Sequence, residues 1–280
     1  IDDNCIFISV YDGLGGAGGS ILTSSNGEQH TSAYYGSRLV RDFFADLCNQ
    51  SDPSLFLDKK GMQNKLTGYL KDELNHFESE SSGIISKKSN QLPTTLAAIL
   101  IDNDPSGSRL ISMWAGDSRC YCLTKKELQL LSIDDVKNNN NPSDFLMSDM
   151  PMTNYINAEG RFEINFKEIK INDPCVLITA TDGCFAYYPT PMHFEKMLIE
   201  TLEASNDIDK WKDNLIKHIS EVAQDDSSIA LVALGWSSFN ELKSNYIGQS
   251  DKIFNEYISP LEPQEKEIRK MKLEIESQKK

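Results

Sequence analysis

The sequence predicts an α+β fold of antiparallel sheets flanked by helices, and three observations carry that expectation. Apolar, strand-like runs come in groups, at 93–101, 108–115 and 119–124 and again at 162–171 and 175–180, without the strict alternation with helices that a parallel sheet shows. The helical patterns are grouped too, two after the first strand and two before the last. Asp104-Pro105-Ser106-Gly107 is a turn sequence, so the runs on either side of it form a hairpin.

In chain order, Cys5-Ile6-Phe7-Ile8-Ser9-Val10-Tyr11 reads as a buried strand, followed by a Gly-rich turn over 13–19 and polar sequence to about residue 30. Thr31 or Ser32 can cap a helix reaching about 49, with Tyr35, Leu39, Phe43 and Leu47 recurring on one face. A second helix is expected over about 60–79 on Leu66, Tyr69, Leu70, Leu74 and Phe77. Past the three central strands, 133–160 has little periodicity and reads as a long irregular excursion. Its Met147, Met150, Met152 and Tyr155 either pin it to the body or offer an adaptable docking surface. Helices over 192–204 (Phe194, Met197, Leu198, Leu202) and 208–223 (Trp211, Leu215, Ile219, Val222) precede a last strand at 228–234 and a helix over 239–258. The expected organisation is a catalytic domain over 1–236 and a C-terminal helical extension over 237–280. In 260–280, Leu261, Ile268, Met271 and Ile275 fall near heptad spacing among alternating charges. An exposed charged helix is the simpler reading of that tail, and a partner-binding helix the other.

The chain has 280 residues and a net charge of −14, an acidity that argues against nucleic acid and anionic membrane as partners. No apolar run reaches the length of a membrane span. The six cysteines form no C-x-x-C pair, and three lie inside apolar runs, so they read as reduced thiols of an intracellular, cytoplasmic protein. Because residue 1 already sits in strand-like sequence, the chain is expected to lack its natural N-terminus.

Four aspartates stand at the ends of apolar runs. Asp12 follows the first, in Asp12-Gly13-Leu14-Gly15-Gly16, and Asp117 follows Leu110–Gly116, in Gly116-Asp117-Ser118-Arg119. Asp182 opens Asp182-Gly183 after Cys175–Thr181, and Asp225 precedes the run from Ser228 to Ala233. Carboxylates at the mouths of buried strands are partly desolvated, and four together repel one another and take up protons. A divalent cation removes that conflict, so the pattern points to a metal site made of oxygen ligands.

Other motifs weigh less. Residues 13–18 fit G-x-G-x-x-G, but the next convincing strand begins only near 93, too late for a dinucleotide fold. Asp102-Asn103-Asp104 after an apolar run resembles the nucleophile motif of haloacid-dehalogenase-type phosphatases. The acid it would need, Asp117, lies about 15 residues on, too near for the intervening βα units of that fold. No Cys has an Arg six positions on, and the four histidines do not pair at zinc spacing.

Taken in order, the pieces resemble the metal-dependent serine/threonine protein phosphatases of type 2C. The family's D-G-x-G-G is Asp12-Gly13-Leu14-Gly15-Gly16, its G-T-T-A is Pro93-Thr94-Thr95-Leu96-Ala97 with Pro in place of Gly, and its G-D-S-R is Gly116-Asp117-Ser118-Arg119. Its S-D-G is Thr181-Asp182-Gly183, and its final D-N is Asp225-Asp226. The resemblance spans 5–234 and implies an αββα four-layer sandwich with two Mg²⁺ or Mn²⁺ ions at one edge. It implies that Asp12 bridges both ions, that the Gly13 carbonyl binds one, that Asp182 and Asp225 bind the other, and that Asp117 helps a weaker third. It assigns Asp12 and Asp182 the catalytic part, in-line attack on phosphorus by a metal-activated water without a phosphoenzyme. The implied partner is a phosphoprotein carrying phosphoserine or phosphothreonine.

The chain also departs from the family pattern. Leu14 replaces a His found in many eukaryotic members, which suggests a bacterial-type enzyme. Asp2 and Asp3 lie nine to ten residues before Asp12, too close for the family's upstream Arg and carboxylate, so neither is assigned a role. Asp226 stands where Asn is usual. The rival expectation is a pseudophosphatase of the same fold that binds a phosphoprotein or partner without turnover.

Overall fold

The computed structural model describes residues 5–50, 52, 54–79, 92–104, 107–137, 151–170 and 173–261, with 263, 267, 270 and 271. In chain order these form β1 (Cys5–Val10), β2 (Ile21–Thr23), β3 (Gln29–Thr31), α1 (Ser32–Asn49), α2 (Ser54–Leu57), α3 (Lys59–Leu74), β4 (Glu78–Ser79), β5 (Leu96–Asp104), β6 (Gly107–Ala115), β7 (Arg119–Leu123) and β8 (Leu128–Leu130). They continue as β9 (Asn165–Lys170), β10 (Cys175–Ala180), α4 (Pro191–Glu203), α5 (Ile208–Val222), β11 (Ile229–Leu234), α6 (Phe239–Ser244) and α7 (Gln249–Ile253).

Period-two alternation decides how these elements stack, because successive side chains of a strand leave opposite faces. Two antiparallel sheets form, in the orders β1-β5-β6-β9 and β11-β10-β7-β8. Ile6, Ile8 and Val10 of β1 and Ala97, Ile99 and Ile101 of β5 face the second sheet, where they meet Cys120, Cys175, Leu177 and Val232. Phe7, Leu96, Ala98 and Leu100 turn the other way and are covered by Val40, Phe44, Leu66 and Leu70 of α1 and α3. On the second sheet Val176, Ile178 and Ala180 turn outward under Phe194, Leu198, Trp211 and Leu215 of α4 and α5, joined by Leu242, Tyr246, Ile253 and Ile258. The result is the expected four-layer αββα sandwich of antiparallel sheets between helices.

Local signals set the helix ends. Thr31 is the N-cap of α1, accepting from the Tyr34 N–H at 3.1 Å, and Asp58 and Asp207 cap α3 and α5 in the same way. Four expectations need adjustment. The buried stripe of α1 is Ala33, Gly36, Val40, Phe43, Phe44 and Leu47, leaving Tyr35 and Leu39 on its flank. α3 ends at Leu74, and Phe77 reaches back from the following turn to pack on Tyr35 at 4.4 Å. The polar stretch before residue 30 holds two strands of a small sheet, β3-β2-β4, too short for any period to show. The expected helix over 239–258 is broken at Gly248, whose φ of +82° suits glycine, and ends in a π turn over Phe254–Ile258. Asp2, Asp3, the 138–142 tract, Met147, Met150 and most of the 260–280 tail lie outside the described residues. All six cysteines are free. Among the described residues no helix is long and apolar enough to cross a membrane.

The layering makes a simple contrast. Leu66→Ala, fully buried between α3 and the first sheet, is expected to cost about 2–5 kcal/mol in denaturant unfolding. Ile216→Ala, 55 % exposed on α5, is expected to stay within about 0.5 kcal/mol. Equal losses at the two positions would contradict the placement of the layers.

Candidate active site

Strand register brings the separated motifs to one edge of the sandwich. β1 pairs with β5 so that Val10 faces Ala97, which sets Asp12 beside Thr94 and Thr95 just past the strand ends. β10 pairs with β7 and β11 so that Ala180 faces both Arg119 and Ile229, which carries Asp182 toward Asp117 and toward the loop ending at Ser228. A cavity of about 690 Å³ opens there, and Asp12, Gly13, Asp117, Asp182 and Asp225 all line it. Asp226, Tyr34, Arg38, Met152 and Leu14 line it as well. Asp102 is at the other end of β5, opposite Cys5 and ion-paired to Arg109 at 3.2 Å, so the dehalogenase-like reading has no site.

Hydrogen bonds fix the backbone of Asp12 on both sides. Its carbonyl accepts from the Thr94 hydroxyl at 2.7 Å and from the Thr95 N–H at 2.7 Å, and its N–H donates to Thr95 Oγ1 at 3.1 Å. Thr95 Oγ1 lies 2.6 Å from Ser118 Oγ, a buried contact that ties the first sheet to the turn carrying Asp117. That turn needs Gly116: its φ is +100°, and a Cβ would come within 2.8 Å of the Thr95 side chain. Gly183 is needed for space, since a Cβ would lie 2.3 Å from the Asp226 carbonyl oxygen where the Asp182 and Asp225 loops touch.

Arg119 grips Asp134 with both nitrogens of its fork, Nε at 2.9 Å and NH2 at 2.6 Å, over the face of Phe185 at 4.2 Å. Its guanidinium is thereby committed to structure. Neighbouring Asp135 anchors the excursion that begins at 133, accepting from the Gly116 N–H, Asn154 and Asn165. Ile156 exchanges backbone hydrogen bonds with Thr94 at 3.0 Å. Met152 therefore serves the wall of the cavity, in the space beside Gly116.

The electrostatics follow from this crowding. Burial, then the charge of Asp182 and a hydrogen bond with it, then Asp117 and Asp225, push the Asp12 carboxyl up to about 8. Burial and the charges of Asp182 and Asp134 raise Asp117 to about 6, against a backbone hydrogen bond of its own and the charge of Arg119. Among the described residues no group of three or more His, Cys, Asp or Glu side chains is closed up tightly enough to hold an ion as it stands. The acids line a shared wall and act on one another across it. Oxygen donors without a Cys or His among the described lining suit a hard divalent cation.

Comparison with known proteins identifies the family and agrees with the fold. The sequence model of the family described as Protein phosphatase 2C matches residues 1–220. The chain belongs to that family. Among solved structures it is similar to the catalytic domain of the serine/threonine protein phosphatase PstP in complex with two manganese ions, at 16 % identity and a TM-score of 0.53, covering 82 % of this chain and 97 % of that one. It is also similar to a Staphylococcus aureus serine/threonine phosphatase, at 13 % identity and a TM-score of 0.56, over 83 % and 95 % of the two chains. An S. agalactiae serine/threonine phosphatase matches at 18 % identity and a TM-score of 0.55, over 81 % and 86 %. At these identities the likeness establishes the fold. No curated protein matches the chain.

Sequence reasoning brought Asp12, Gly13, Asp117, Asp182 and Asp225 together but missed Asp134, Asp135, Tyr34 and Arg38. Only the last two left a signal, an aromatic and a cation four apart on the exposed side of α1.

Two predictions follow from this network. Folding favours the protonated form of Asp12, so that contribution is complete below the ordinary carboxylate range and is lost as pH rises through about 8. In chelator, Asp12→Asn is therefore expected to raise the melting temperature by several degrees near pH 8 and by little near pH 5. A gain that is larger at the lower pH contradicts the assignment. Thr95→Ala, which strands the Asp12 N–H and Ser118, is expected to cost about 1–3 kcal/mol in unfolding, with Thr95→Ser restoring most of it.

Proposed function

We propose that the protein hydrolyses phosphoserine and phosphothreonine in protein substrates with the aid of two divalent cations, Mg²⁺ or Mn²⁺. The observation that carries this reading is the buried Asp12 carboxyl, crowded by Asp182, Asp117 and Asp225 in one cavity at the sandwich edge. Asp12, the Gly13 carbonyl, Asp182 and Asp225 would hold the two ions, and Asp117 would serve a weaker third. Bound there, such ions offset charge on a phosphoryl group and acidify the water that attacks it.

The chain's own residues do the positioning. Thr94 and Thr95 hold the Asp12 backbone at the cavity edge, which sets where its carboxyl starts. Gly183 lets the Asp182 and Asp225 loops lie against each other. Leu14 and Met152 give the cavity apolar wall that limits bulk water around the acids. Leu14 has no transferable proton, and the described lining holds no histidine to serve the leaving group. Solvent at the open mouth supplies that proton in this reading.

The purified protein is expected to hydrolyse an aryl phosphate and a phosphothreonine peptide with Mn²⁺ or Mg²⁺, and to lose this activity in excess chelator. Asp182→Asn and Asp225→Asn are expected to lower kcat at least about a hundredfold and to weaken Mn²⁺ binding measured by calorimetry. Activity undiminished by chelator, or dependent on zinc, would falsify the reading. Mn²⁺ binding without any turnover would support the non-catalytic alternative.

A further inference from the structure

The cavity lining is one-sided in charge. Among its described residues stand five carboxylates, Asp12, Asp117, Asp182, Asp225 and Asp226, and one cationic side chain, Arg38. A phosphorylated substrate brings further negative charge into that surrounding, and it needs a fixed donor that the ions' own ligands cannot supply.

Arg38 is arranged as such a donor. It sits one helical turn after Tyr34 on α1, its guanidinium carbon 3.3 Å from the centre of the Tyr34 ring, with NH1 donating to the Tyr34 carbonyl at 3.2 Å. His30 stacks on the same ring at 3.8 Å with the planes 15° apart. Two groups that close to one centroid cannot share a face, so His30, Tyr34 and Arg38 form a three-layer stack with the guanidinium outermost. The other arginines described with side chains are neutralised: Arg41 by Asp42, Arg109 by Asp102, Arg119 by Asp134 and Arg161 by Glu159. Arg38 makes no such pair among the described residues, and it is exposed. It also borders a second cavity of about 360 Å³, shared with Ser37 and Arg41, so it stands where a substrate chain would pass from one to the other.

We propose that Arg38, held flat on Tyr34, is the phosphoryl-binding cation of this site, taking two phosphoryl oxygens with its planar fork. The assignment rests on the phosphatase reading for its substrate class. Stacking restricts the guanidinium before substrate arrives, which lowers the entropy lost on binding. Tyr34 acts through Arg38 and is a positioning residue.

The test is binding of inorganic phosphate to the whole protein with saturating Mn²⁺, by calorimetry and as competitive inhibition of aryl phosphate hydrolysis. Arg38→Ala is expected to raise the phosphate Kd and the KM about tenfold or more, with kcat within about threefold. Its Mn²⁺ affinity should be unchanged or modestly tighter, because a nearby positive charge has been removed. Arg38→Lys should recover part of the loss, since charge returns without the fork. Tyr34→Phe should bind phosphate like the parent, and Tyr34→Ala should approach Arg38→Ala. Because Arg38 is exposed, its variants are expected to keep the parent's melting temperature, which serves as the folding control. The proposal is overturned if the parent fails to bind phosphate, if Arg38→Ala binds it within about twofold of the parent, or if Arg38→Ala weakens Mn²⁺. Absence of Mn²⁺-dependent turnover in the parent overturns the phosphatase reading instead, and the phosphate titration is read without turnover.

Discussion

Like charge gathered at the open edge between two sheets is the constraint to which the surrounding structure answers. A carboxyl such as Asp12, buried beside Asp182, works against folding once ionised, and a flexible chain would relieve that by turning it into water. The threonine pair works against this at the backbone. Two donors on the Asp12 carbonyl and one acceptor for its N–H fix the backbone there, and the same Thr95 hydroxyl is in buried contact with Ser118 of the turn that carries Asp117. The G-D-S-R turn is braced in its own way, with Arg119 spent on Asp134 and Gly116 in a conformation that other residues resist. The repulsion is thus stored in a frame stiff enough to keep it.

That frame explains what could be read from sequence and what could not. Apolar runs at 5–11, 93–101 and 175–180 identified strands, and an aspartate directly after such a run reads as sitting at a strand mouth. The edge where those mouths meet was therefore legible in order and in residue type. Register decides the rest. Whether Asp12 or Asp102 shares the edge depends on β1 and β5 running antiparallel, which the hairpin turn implies only for β5 and β6. The buried face of α1 was misjudged because Tyr35 and Leu39 share helical spacing with Phe43 and Leu47, while Ala33 and Gly36 of the true stripe are too small to mark it. Tyr35 is met on the helix flank by Phe77, which no periodicity announces. Asp135 looks like any loop acid until Gly116, Asn154 and Asn165 are seen to converge on it.

The segment after β8 shows how an aperiodic stretch can still be committed. Its described parts meet the body where Asp135 accepts from the Gly116 N–H and where Ile156 exchanges hydrogen bonds with Thr94, and a bridge between Val136 and Met152 ties the segment to itself. Each joins a residue within one or two positions of a cavity-lining group. Such a segment needs no regular secondary structure to be placed, because polar side chains and single bridges hold it.

The strand order has a consequence for biosynthesis. β11 is an outermost strand of its sheet, yet it is the last to be made, and it pairs with β10, whose end carries Asp182. Until residues near 234 have cleared the ribosome, the nascent chain holds Asp12, Asp117 and Asp182 but has nothing to bring Asp225 against them. Vectorial synthesis therefore delivers the scaffold before the complete set of acids. The strongest like-charge crowding arises only when the second sheet closes, at a stage when most of the interior is already available to oppose it.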